Sequence, residues 1–467
     1  MRAFTLAILV GSLALGSAGD TTQAKAGESP VQELAFGADA GVVTATLRSG
    51  VVVRVLRVEA TGDAPLTSVT AAIGYGPVHE RDGDLGVSAL AAIALERDLQ
   101  SEIGRRGLAD RCVLWLGTTS RRVLVSIRAP ARDLTEVLAA LASAMSSASL
   151  TSDDLVELAL RSEEAASVST RSLDGAVYRG AARSVYPPLM RREQRIRATR
   201  EVGESPVMRA ARAAVRVRAV LDDAPLEFGI VTPADWADAV EATAASFGDR
   251  PEDDEGMVPL RPARSFAQPP ETVTYEWNGG ARGSRAAVVA APVSIDRSLR
   301  SVRAAFVAAR ALEVAARRAH GSARAGVLFD PGYPSSGAVW LRLPLDPEGA
   351  GLGSGNGTRV AAMALFESLT LRDGSDGITD ADIAEGRAAT VESMRRQLEG
   401  GWWLPARLAT LGALSDDAAA DYVLCDERYA SVPTAEVRDV LRSLGAHGSR
   451  AVFIAEPGDE ARPKLGE

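Results

Sequence analysis

Residues 42 to 58 set the first pattern in the chain. Val42 to Leu47 and Val51 to Val58 alternate β-branched apolar with polar positions around Ser49-Gly50, as two half-buried strands joined by a turn would. Ser68 to Tyr75 reads as a further strand. From Leu85 the period lengthens: Leu85, Ala89, Ala92, Ile93 and Glu96 fall at helical spacing, and Gly104 and Gly107 mark a stop near Arg105. Strands Cys112 to Leu116 and Val123 to Arg128 follow, then helices Leu134 to Ser147 and Ser152 to Val168. Thr151-Ser152-Asp153-Asp154 opens the second helix with good cap and first-turn residues. A strand, Leu226 to Val231, and a helix, Pro233 to Phe247, end this half.

The order is then replayed. Thr272 to Trp277 and Ala286 to Val293 read as strands, Arg300 to Ala319 as a long helix, and Val327 to Phe329 and Ala338 to Leu345 as strands. Helices Thr358 to Thr370 and Thr379 to Leu398 follow, the latter again opened by Thr-Asp-Ala-Asp, and Val452 to Ala455 is the final strand. Equivalent elements lie about 215 to 230 residues apart. Residues 249–271, rich in Pro, Asp, Glu and Arg, are longer than an ordinary loop and read as a linker. The expected fold class is α+β: two similar domains, at 39–248 and 272–457, each a mostly antiparallel sheet with helices packed on one face, and a tail at 458–467.

With 467 residues, 46% of them hydrophobic, the chain can bury large cores. A net charge of -9 argues against nucleic acid as a partner, which would call for a basic face. Met1-Arg2, the apolar run Ala3 to Leu15 and Gly16-Ser17-Ala18 have the form of a secretory signal peptide over 1–19. That run is shorter than the ~20 apolar residues a bilayer span needs, and no later segment would span. Residues 20–38 read as a flexible leader. The mature chain is therefore expected outside the cytoplasm, periplasmic or extracellular. Export permits a disulfide, but Cys112 and Cys425 are far apart in sequence and read as buried free thiols.

The three histidines, His79, His320 and His447, include no pair spaced to bind one metal from a helix face, where a catalytic zinc needs three protein ligands. The serine-hydrolase elbow G-x-S-x-G is absent, and Pro334-Ser335-Ser336-Gly337 reads as a turn before a strand. The glycine-rich run Gly351 to Gly357 lacks both dinucleotide spacing and a phosphate-loop Lys, and reads as a connection capped by Thr358. Trp402-Trp403, at the start of a helical run, reads as a core or interface anchor.

Several local patterns resemble the insulinase/pitrilysin-type metallopeptidases, the group that includes the mitochondrial processing peptidase. Leu47-Arg48-Ser49-Gly50-Val51 is similar to the family's opening hairpin, and Ile73-Gly74-Tyr75-Gly76 to the end of a family strand. His79-Glu80 followed by Leu85-Gly86-Val87-Ser88-Ala89-Leu90 resembles the approach to its zinc helix. In active members that helix carries H-x-x-E-H, two zinc-binding His with a Glu that activates water. The matching positions here are Ala89, Ala92 and Ile93, whose alkyl groups neither bind zinc nor take a proton. The family's third ligand, a later Glu, matches Glu163. Its second half often supplies an Arg and a Tyr that hold the peptide carbonyl, and their matches are Ser322 and Phe329, with Arg318, Arg324 or Tyr333 as substitutes.

The resemblance thus implies a degenerate, non-catalytic member that retains no zinc ligand set and has no other cofactor. Its expected partner is a zinc-bearing subunit of the same family, or a second copy in a homodimer, enclosing a chamber with a possible peptide ligand. Two alternatives stay open: a stand-alone exported binding or scaffold protein, and a zinc metallopeptidase with unrecognised ligands.

Overall fold

A computed structural model describes residues 30–36, 41–60, 65–80, 86–119, 121–157, 206–250, 273–277, 285–294, 300–329, 336–345, 356–371, 377–399, 401–410, 423–446 and 451–457. The expected signal peptide and tail lie outside them, as does nearly all of the linker.

The first half is a seven-stranded sheet. Its strands are β1 (Val31–Phe36), β2 (Val42–Leu47), β3 (Val52–Arg57), β4 (Leu66–Ile73), β5 (Val113–Thr118), β6 (Val123–Pro130) and β7 (Leu226–Thr232), in the order β1-β2-β3-β7-β4-β6-β5. All neighbours run antiparallel except β3 and β7. The helices are α1 (Val87–Arg105), α2 (Leu134–Ser147), α3 (Pro206–Asp223) and α4 (Trp236–Phe247). The pleat sorts the strands: Val53, Val55, Val69, Ala71, Ile73, Val123, Val125, Phe228 and Ile230 join a core with Leu95 and Leu99 of α1 and Leu138 and Leu141 of α2.

The second half is a five-stranded sheet of β8 (Val273–Trp277), β9 (Arg285–Ser294), β10 (Arg324–Phe329), β11 (Ser336–Leu345) and β12 (Ala451–Pro457), ordered β10-β11-β9-β12-β8. Its helices are α5 (Arg300–Ala319), α6 (Asn356–Leu371), α7 (Asp380–Glu399), α8 (Trp403–Ala409), α9 (Cys425–Ala430) and α10 (Thr434–Ala446). Replacing β5, β6, β4, β7 and β3 by β10, β11, β9, β12 and β8 reproduces the order, and β8–β12 is parallel just as β3–β7 is. The repeat therefore holds at the level of topology.

A local device is repeated as well. Thr151 N–H donates to Asp154 (2.7 Å) and Asp154 N–H to Thr151 Oγ1 (3.3 Å), a reciprocal cap. Thr379 and Asp382 do the same at 2.7 and 3.2 Å. Each capping Asp is buried and takes an Arg from the half's long helix, Arg97 at 2.6 Å and Arg318 at 2.9 Å.

Two findings go beyond the sequence pattern. β1 lies inside the stretch expected as a leader over 20–38; its backbone completes the sheet edge by pairing with β2, which the weak alternation of Val31–Phe36 does not announce. In addition to the helices on one face, the second face of the first sheet meets the other half. Val42 and Leu56 join the second half's core, and α8 lies across β7 and β4, where Ala72, Leu124 and Ala409 form a small apolar cluster. Gly229 makes this approach possible: a Cβ there would stand 2.0 Å from the Pro405 carbonyl oxygen. No helix among the described residues is long and apolar enough to cross a membrane.

Candidate functional site

The approach to α1 is built around Glu80. After β4 the chain makes a short turn, Pro77–His79, and the Glu80 carboxylate then accepts from Gly86 N–H (2.8 Å), Ser88 N–H (2.9 Å) and Ser88 Oγ (2.5 Å). A carboxylate on these N–H groups satisfies the first turn of α1 and complements its dipole. On that helix Ala92 and Ile93 are buried and Ala89 half-buried. Glu163 lies outside the described residues. Among the described residues no three His, Cys, Asp or Glu side chains converge as metal ligands. The side chains at 89, 92 and 93 do not fit a zinc ion.

His79 faces a different feature, a cavity of about 630 Å³ between the two halves. The His79 N–H donates to the Gly76 carbonyl (2.9 Å), and Nδ1 accepts the Gly76 N–H (3.0 Å), so the neutral ring carries its proton on Nε2. Burial, and then the nearby Arg121 charge, lower its pKa from 6.5 to about 4. Arg121 and Arg122 come close because their backbone lies over Gly76, where a Cβ would stand 2.3 Å from the Arg121 carbonyl carbon.

The floor of the cavity is the outward face of the first sheet. Glu227 of β7 sits between Arg54 of β3 (2.6 Å) and Arg122 (2.8 Å). Burial pushes its carboxyl up, but the charges and hydrogen bonds of Arg122 and Arg54 outweigh that and hold it below the usual range. The same two arginines reach across the halves: Arg54 donates to the Leu408 carbonyl (3.1 Å) and Arg122 to that of Ala409 (2.8 Å), capping the C-terminal end of α8. Trp403 and Arg407 of α8 form the far wall, the guanidinium 5.5 Å from the indole centroid. Trp403, read from sequence as an anchor, thus lines the cavity.

Of the expected site residues of the second half, Arg318, Ser322 and Arg324 do not line this cavity. Arg318 donates to Asp382 and to the Gly377 carbonyl (3.1 Å). Arg324 pairs with Glu313 at 3.2 Å, and Glu313, which is buried, also takes Arg310 (2.7 Å) and Arg317. Ser322 is exposed and Phe329 ends β10; Tyr333 and His447 lie outside the described residues. His320 continues the end of α5, its N–H donating to the Ala316 carbonyl (2.9 Å). Cys112 and Cys425 carry free thiols, both pushed up chiefly by burial.

Comparison with known proteins gives a fold rather than a close relative. Neither a family model nor a curated protein matches the chain. Among solved structures, the periplasmic protease PqqL from Escherichia coli superposes with a TM-score of 0.66 at 15% identity, over 97% of this chain and 49% of PqqL. The chain thus spans about half the length of PqqL. A protease from Helicobacter pylori matches with a TM-score of 0.64 at 14% identity, over 90% of this chain and 100% of that one. The peptidase M16 inactive domain from Pseudomonas fluorescens gives 0.60 at 14%, over 90% and 99%. The fold is that of the M16-like peptidases, the insulinase-type group the sequence resembles.

Proposed function

We propose that this chain is an exported, non-catalytic M16-like subunit that pairs with a zinc-bearing chain of the same fold to enclose peptides. One observation carries the reading: the α1 positions that match H-x-x-E-H hold Ala89, Ala92 and Ile93, on a helix that keeps its Glu80 cap. An inactive domain of the same fold from Pseudomonas fluorescens is a precedent for losing chemistry while keeping architecture. Export rests on the form of residues 1–19, and PqqL is itself periplasmic.

Peptide holding is supported by β5. It is one of the two edge strands of the first sheet, and Val113 and Trp115 on it are 59% and 51% exposed. A sheet edge with apolar side chains and no second strand paired to it among the described residues is suited to adding an extended strand. The test is co-purification of the tagged mature chain from its source. A co-purifying M16-like chain with an intact H-x-x-E-H, and chelator-sensitive cleavage by the mixture but not by this chain alone, is the expected result. Recovery of the chain alone, with cleavage of its own, would overturn the reading. A second reading, a stand-alone exported binding protein, is favoured by the cavity within the single chain.

A further inference from the structure

The pairing of β5 with β6 sorts the side chains of this edge strand between two faces. Directly paired residues share a face, and Val113 pairs with Arg128, Trp115 with Ser126 and Gly117 with Leu124. Leu114 and Leu116 pack on the helix-side core, so Val113, Trp115 and Gly117 stand on the opposite face, the one that meets the second half. Val113 and Trp115 stay exposed there. The Trp115 ring lies along the strand over Gly117, where a Cβ would stand 2.7 Å from it. Arg128 is half-buried and abuts the second half at Gly401, where a Cβ would stand 3.1 Å from its Nη1. Among the described residues the buried Nε of Arg128 has no hydrogen-bond partner, and no ion pair engages its guanidinium. The patch is therefore apolar, carries a cationic group, and continues the surface that joins the two halves.

We infer that the outer face of β5 takes an extended peptide with a Glu and an aromatic residue two positions apart, Arg128 receiving the Glu and Trp115 the aromatic ring. This names the class of peptide for the strand addition proposed above and rests on that reading. Alternate residues of an added strand face one side, so the residues opposite Val113 and Trp115 are two apart. Two strand spacings place the residue opposite Val113 about 10 Å from the Arg128 backbone. An Arg and a Glu side chain together close that gap over Val113, and the shorter Asp reaches less far. The guanidinium offers a carboxylate charge-assisted N–H donors and disfavours a cation at the same place. Opposite Trp115 an aromatic residue makes a favourable cross-strand pair, and Gly117 leaves the indole room to lie flat.

The test is fluorescence anisotropy of labelled peptides with the mature chain alone. The probes are acetyl-Thr-Glu-Thr-Phe-Thr-Lys amide, the reversed order acetyl-Thr-Phe-Thr-Glu-Thr-Lys amide, and the Gln counterpart of each. At least one Glu peptide should bind about tenfold tighter than its Gln counterpart, since hydrogen bonds between charged groups are gained. The preferred order gives the direction of the added strand. Arg128→Gln should remove the preference. Val113→Glu should remove it too, by giving Arg128 a carboxylate from the paired position, and at an exposed site it keeps the test decisive if Arg128→Gln fails to fold. Trp115→Ala should weaken every peptide severalfold, and circular dichroism confirms that each variant is folded. Equal binding of Glu and Gln peptides, or a preference that survives in the folded variants, would overturn the role of Arg128 and leave strand addition standing. No binding of any peptide would overturn both. A dimer of the mature chain that Trp115→Ala dissolves, without peptide binding, would assign the face to a second copy and overturn the proposal. Binding here needs neither zinc nor a partner, so its outcome is separate from that of the pairing experiment.

Discussion

Two residues show how little of a side chain's role its identity reveals. His79 is one of three histidines, yet burial and Arg121 keep it neutral. The folded chain therefore resists a proton that the unfolded chain accepts below 6.5, so the stability His79 contributes is full above 6.5 and is lost as pH falls toward 4. His79→Gln should flatten the decline in unfolding free energy between pH 6.5 and 4.5, measured by urea titration. The decline below 4.5, where Glu227 loses its advantage, should remain. Arg318 matches the family's carbonyl-holding region in sequence, but in the structure it serves Asp382 as Arg97 serves Asp154. Arg318→Ala should cost roughly 1–3 kcal/mol of stability by stranding a buried carboxylate, and leave peptide binding unchanged. Loss of binding without loss of stability would restore Arg318 to a site role.

Elements were legible where periodicity was strong and one face was buried. The Thr-x-x-Asp caps announced the starts of two helices, and Val42–Leu47, Leu134–Ser147 and Arg300–Ala319 have the ends read from their pattern. β1 escaped because an edge strand needs little alternation once its partner is in place. The cavity escaped for a different reason. Arg54 between Val53 and Val55, and Glu227 between Leu226 and Phe228, read as the solvent side of half-buried strands. Local spacing cannot tell that a helix more than 170 residues away in sequence covers that side. α8 is the element on which this arrangement depends. Gly229→Val should push it off the sheet at a cost of roughly 1–3 kcal/mol, seen as a lower unfolding temperature and faster proteolysis around 401–410. A variant as stable as the original would show that the close contact is not needed.

At the scale of the whole molecule, the two sheets share one strand order and one parallel pair, so duplication is carried by topology where sequence identity between the halves is too low to see. The alkyl side chains at 89, 92 and 93 were readable from sequence, and the proposal of a subunit without zinc chemistry rests on them. The charged cavity needed three dimensions, because its arginines come from both halves. A single reading joins the two, in which the chain keeps the architecture for holding peptides and leaves the cleavage to a partner. The most direct test is the zinc content of the purified mature chain by elemental analysis, with a mixed-peptide cleavage assay on the same sample. Less than about 0.1 zinc per chain and no cleavage is the predicted result. Near one zinc per chain with chelator-sensitive cleavage would contradict it, and would mean that Ala89, Ala92 and Ile93 do not occupy the zinc helix.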